Sequence, residues 1–132
     1  MTARAPILSK RAALAFVFLW FFLGGIAHFA FTGAEMRIVP PFIPSPHAVV
    51  LISGGLELLG AAGVLLPFTR RAAGIGLFAL TIAVTPANIY MFQNANAFGI
   101  APWLLLLRLP LQVALLALIV WSTWSRELTA GE

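Results

Sequence analysis

Four apolar runs, at about residues 12–33, 48–66, 72–92 and 102–124, leave this chain almost no choice of fold. Each is close to the ~20 residues that an α-helix needs to cross a bilayer. Lipid offers no hydrogen bonds to exposed backbone, so such a run must be helical throughout. The composition agrees: 61% of residues are hydrophobic and 9% charged, and the mean hydropathy is +1.00. The expected fold is therefore an all-α membrane protein, a four-transmembrane-helix bundle in a single domain spanning 1–132. The first run follows Lys10 and Arg11 as a signal peptide would, but it is too long for a signal core and no small-x-small site follows it. It reads as a retained helix.

A pI near 11.3 invites a nucleic-acid reading. The formal net charge is only +4, however, and seven of the eight basic residues, all but Arg108, stand in ones and twos at segment ends or in loops. They read as topology determinants, with no nucleic acid as partner. Arg4, Lys10, Arg11, Arg70, Arg71 and Arg126 fall on one side of a four-span chain and Arg37 on the other, so both termini are expected in the cytoplasm. With no cysteine the chain has no thiol chemistry of its own.

The connections differ in kind. Residues 34–47 carry Pro40, Pro41, Pro44 and Pro46 among Ile38, Val39, Phe42 and Ile43. No helix continues through them. Their apolar character places them at the membrane interface, as a lid over the bundle end or as a rigid connector. Residues 67–71 read as a tight turn, 93–101 as a polar loop, and the stretches 1–11 and 125–132 as short tails. Pro86 inside the third run predicts a kink near residues 82–86, and Pro110 disturbs the fourth.

Against this background the polar residues stand out. Glu57 lies near the middle of the second run, and a charge at bilayer depth costs roughly 2.5–3.5 kcal/mol on insertion scales, so it is expected to have a partner. Counting 1.5 Å per residue from the helix ends puts His28 ~8 Å, Asn88 ~6 Å, Arg108 ~9 Å and both Glu57 and Gln112 ~15 Å below one surface. All five share one half of the bundle, beside both helix prolines. The spacing predicts one polar cluster in which Glu57 pairs with Arg108 while Asn88 and Gln112 satisfy that pair or the carbonyls freed at the kink. A buried ion pair that fixes helix register is the plain structural alternative. His28 suits either a hydrogen-bonded bundle histidine or a proton donor. One glutamate and one interior histidine are too few for a metal, and His47 is expected in the loop, solvated.

Several segments carry a resemblance: His28-Phe29; Pro41-Phe42-Ile43-Pro44-Ser45-Pro46; Ser53 to Gly60, SGGLELLG; Pro67 to Gly74, PFTRRAAG; Pro86 to Met91, PANIYM; and Leu107 to Gln112, LRLPLQ. In this order they resemble the DoxX and DoxX-like membrane proteins. The resemblance implies a small four-helix protein of the bacterial inner membrane. The family takes its name from a subunit of an archaeal thiosulfate:quinone oxidoreductase, and other members accompany redox or stress proteins. It thus implies a quinone as ligand and a redox partner protein, or a homo-oligomer. No residue here is a redox centre, so the expected role is an accessory or binding subunit with no intrinsic cofactor rather than an enzyme on its own. Two other functions stay open. One is a proton-coupled carrier like the small multidrug resistance proteins, against which the expected Glu57–Arg108 pairing counts. The other is a scaffold that recruits a partner.

Overall fold

The computed structural model describes residues 4–124, with side chains from Lys10 onward. The tail expected over 125–132, with Arg126, lies outside the described residues. The described residues form seven helices: α1 (Arg4–Ala30), α2 (Thr32–Met36), α3 (Pro46–Leu65), α4 (Pro67–Ala83), α5 (Thr85–Gln93), α6 (Ala95–Phe98) and α7 (Pro102–Thr123). Among the described residues four spans are long and apolar enough to cross a membrane: Lys10–Ala30, Pro46–Leu65, Pro67–Gln93, which joins α4 and α5, and Pro102–Thr123.

Proline decides most of the boundaries. Pro46, Pro67, Pro86 and Pro102 each stand in the first turn of a helix, where the missing N–H costs nothing. The third span breaks at Val84, and α5 restarts at Thr85-Pro86, as the proline predicts. By contrast α7 runs unbroken through Pro110. That proline lies on an exposed face, where no packed neighbour prevents the local carbonyl from yielding.

Four expectations need correction. The first helix begins at Arg4 rather than near residue 12, because Pro6 falls in its opening turn, where proline is tolerated. The stretch 67–71 is not a turn but the start of α4. Leu66 alone makes the corner, held extended (φ −99°, ψ 127°) by the proline after it. The polar loop contains the single-turn α6, closed by Gly99 at a left-handed φ of 65°. His47, exposed as expected, sits in the first turn of α3 rather than in the loop.

The spans form a ring in which α1 and α4 each lie between α3 and α7, while α2 rests on α3 and α5 on α7. Towards the end that holds the start of α1 and the finish of α7, the ring closes on a dry core of Leu14, Val17, Phe21, Ala61, Val64, Leu77, Leu115 and Ile119. At this end Lys10 lies 5.7 Å over Trp121 and Arg71 4.8 Å over Trp124. Arg70, expected as a topology marker at this end, is buried here. Its Nε donates to the Val64 carbonyl at 2.8 Å and Nη2 to the Leu65 carbonyl at 3.3 Å, and the Thr69 hydroxyl donates to the Gly63 carbonyl at 2.7 Å. These carbonyls lie in the last turn of α3, where the helix's own N–H donors run out and only Leu66 N–H reaches back, to Gly63 at 3.4 Å.

Candidate functional site

Towards the opposite end, where α2, the proline loop, α5 and α6 gather, the ring opens into a cavity of about 530 Å³. His28, Glu57, Asn88, Arg108 and Gln112 all line it, and so do Ile38, Val39, Pro40 and Ile43 of the proline loop. The loop therefore folds across the bundle end. The break at Val84 belongs to the same wall: beyond it α5 packs on α7, and the interior stays unfilled.

The five residues meet the cavity in separate groups. His28 and Glu57 form the first, with His28 Nε2 2.8 Å from Glu57 Oε2. Glycine makes this approach possible. A Cβ on Gly24 would lie 2.7 Å from Glu57 Oε1, and one on Gly54 would lie 2.6 Å from His28 Cβ. The backbones of α1 and α3 can therefore cross closely enough for imidazole and carboxylate to bond directly. The other ring nitrogen, Nδ1, lies 2.9 Å from the Val50 carbonyl and 3.0 Å from Ser53 Oγ, and Ser53 in turn donates to Val50 at 3.0 Å. A carbonyl can only accept, so Nδ1 carries the hydrogen and Nε2 is the nitrogen that can gain or lose one.

Asn88 and Gln112 form the second group. Asn88 Nδ2 donates to Gln112 Oε1 at 2.7 Å, and Gln112 Nε2 donates to the Thr81 carbonyl at 3.1 Å and to Thr85 Oγ1. Thr81 lies at the break in the third span, so Gln112 satisfies a carbonyl beside the proline, one of the two duties its sequence position allowed. The stripe Thr81–Thr85–Asn88 on one helical face is the sequence signal for this network.

Arg108 stands apart. The expected Glu57–Arg108 ion pair is not formed: Arg108 Nη1 donates to Met91 Sδ at 3.4 Å, and Glu57 is held by His28. The reason is the ring order. The buried face of α3 that carries Glu57 turns towards α1, whereas Arg108 belongs to α7, which packs on α1 and α4. Among the described residues Arg108 has no carboxylate partner, and it also borders a smaller cavity with Arg37 and Glu35.

Glu35 is the residue that sequence reading missed. Its Oε1 lies 3.8 Å from His28 Nε2, and it lines both cavities. The available signal was its spacing, two helical turns beyond His28. It was hidden by the expectation of an irregular connection where the short helix α2 forms instead. Thr32 supports that short helix, its hydroxyl donating to the carbonyls of His28 at 2.8 Å and Phe29 at 3.0 Å.

Fold and site together define a multi-pass helical membrane protein with a partly polar cavity inside one end of a four-span bundle. The chain belongs to the family described as a domain of unknown function, DUF8561, which it matches over residues 15–126. No curated protein and no solved structure matches it.

Proposed function

We propose that this chain is a DoxX-like protein of the bacterial inner membrane, with both termini cytoplasmic, an accessory subunit whose cavity takes a small hydrophobic ligand with a polar head, a quinone being the leading candidate. The observation that carries the reading is one cavity of about 530 Å³ touching His28, Glu57, Asn88, Arg108 and Gln112 together, a size within the range of ligand pockets. Its walls are largely apolar, and its polar groups are few and spread around it, which suits a flat head with oxygen acceptors at its rim. Arg108, with no carboxylate partner among the described residues, and the amide of Asn88 would donate to those oxygens. His28 and Glu57 would exchange a proton with them.

Trp20 lines the cavity and supplies the assay. A short-chain quinone should quench its fluorescence saturably, and Trp20→Phe should abolish most of the quench. Arg108→Ala and Gln112→Leu proteins that still fold should bind on the order of tenfold more weakly, the loss expected when a charged or paired donor goes missing. Undiminished binding in both would remove the cavity from the proposal. Orientation can be tested separately with single cysteines, since the chain has none: one at His47 should react with an impermeant reagent from outside the cell, and one at Phe68 should not.

A second reading, the proton-coupled carrier, gains from the structure of the pair. The objection to it was that arginine would neutralise Glu57, and Arg108 instead contacts Met91. Substrate-driven proton release from proteoliposomes would favour transport over the accessory role, and co-purification of a redox protein from native membranes would do the reverse.

A further inference from the structure

We propose that Glu35, His28 and Glu57 form a proton relay joining the loop-bearing end of the bundle to the cavity. Three observations carry it. The groups follow one another inward: Glu35 on α2 beside the proline loop, His28 on the last turn of α1, and Glu57 on α3 facing the interior. Side-chain exposure falls along the series, from 25% at Glu35 to 16% at His28 and 11% at Glu57. And a single nitrogen, His28 Nε2, faces both carboxylates, at 3.8 Å from Glu35 and 2.8 Å from Glu57.

The step balances without any co-reactant. At rest Nε2 carries a hydrogen that it donates to the Glu57 carboxylate, so His28 is an imidazolium. That hydrogen passes to Glu57 Oε2, which becomes the acid, and a protonated Glu35 then restores a hydrogen to Nε2, leaving a Glu35 carboxylate and the imidazolium as before. Nδ1 keeps its hydrogen on the Val50 carbonyl throughout, so the ring needs neither a flip nor a change of tautomer. The second distance is already that of a hydrogen bond. The first is closed by one bridging water or a small rotation of the Glu35 side chain. The charged groups facing His28 are Glu57 from α3 and Glu35 from α2, with Arg108 of α7 on the wall of the same cavity. A relay that ends at Glu57 would supply or remove protons for whatever occupies the cavity. To that extent its purpose rests on the proposed ligand reading.

The test needs no ligand, so a failure of the relay and a failure of the ligand reading can be told apart. The chain has two histidines, and His47→Gln leaves one. In the full chain in lipid nanodiscs, labelled with ¹⁵N-histidine, the exchange of the His28 Nε2 hydrogen with water can be followed by NMR. Glu35→Gln keeps the size and polarity of the side chain but cannot carry the proton. It should slow exchange on the order of tenfold or more, the scale of a lost acid–base group, while the ring shifts stay near those of the parent. Glu35→Asp should recover part of the rate. An unchanged rate in Glu35→Gln would overturn the relay. So would equal slowing in the Gln and Asp variants, since that marks a side chain acting by shape alone. Should Glu35→Gln fail to fold, Glu35→Ala separates the cases: faster exchange marks a mere plug and overturns the proposal, and slower exchange supports it.

Discussion

The two ends of this bundle use the same four spans in opposite ways. At the end that holds the start of α1 and the finish of α7, the interior is filled. Val17, Ala61, Val64 and Ile119 are fully buried, and the polar groups turn to nearby backbone. Arg70 and Thr69 serve the last carbonyls of α3, and Ser122 and Thr123 donate to the Ile119 carbonyl one turn earlier in their own helix. At the other end the interior is open, and polar groups bond across helices: His28 of α1 to Glu57 of α3, Asn88 of α5 to Gln112 of α7. Helices in lipid gain little from the hydrophobic effect when they associate, so either close packing or interhelical hydrogen bonds must hold them. Close packing holds the filled end, together with side-chain bonds from α4 to the last carbonyls of α3. Where a cavity is kept, polar bonds hold its walls.

The largest effect should come from breaking the filled end. Ile119→Ala should cost about 2–5 kcal/mol, the range for opening a hole in a packed core. Leu111→Ala, on the cavity wall and 57% exposed, should cost well under that. Unfolding titrations in mixed micelles would compare them, and equal losses would mean that the two ends are packed alike.

The crossing of α1 and α3 is the next most sensitive point. Gly54→Ala forces a methyl group against His28 and should cost about 1–3 kcal/mol, as overpacking does. The neighbouring Gly55 has nothing within 4 Å of an added Cβ. Gly55→Ala should be neutral, and thermal melts of the two single variants would decide.

The polar partnership itself is tested by a double-mutant cycle. His28→Gln with Glu57→Gln should show a coupling of roughly 0.5–3 kcal/mol, whereas Arg108→Gln with Glu57→Gln should add to within about 0.5 kcal/mol. A strong Arg108–Glu57 coupling would reinstate the pair that sequence depth suggested. The smallest effect is expected at Asn88→Leu. Interhelical hydrogen bonds within membranes average about 0.6 kcal/mol, so its stability loss should be slight.

Much of this was legible in the chain. The run lengths fixed four crossings, because a segment in lipid must satisfy its own backbone and only a helix of about 20 residues does so while spanning the core. Proline marked where helices start, and a constant rise per residue put five polar side chains in one half of the bundle. Depth, however, is only one coordinate. Which residue faces which depends on the rotation of each helix about its axis and on the order of helices around the ring, and neither leaves a mark in a run of leucine and alanine. Tertiary structure therefore decided that Glu57 belongs to His28 and not to Arg108, through a crossing tight enough to need Gly24 and Gly54. It also set Arg70, read from the chain only as a topology marker, against the last carbonyls of α3, and it carried Glu35, from what reads as a connecting loop, to within 3.8 Å of the histidine at the cavity's edge.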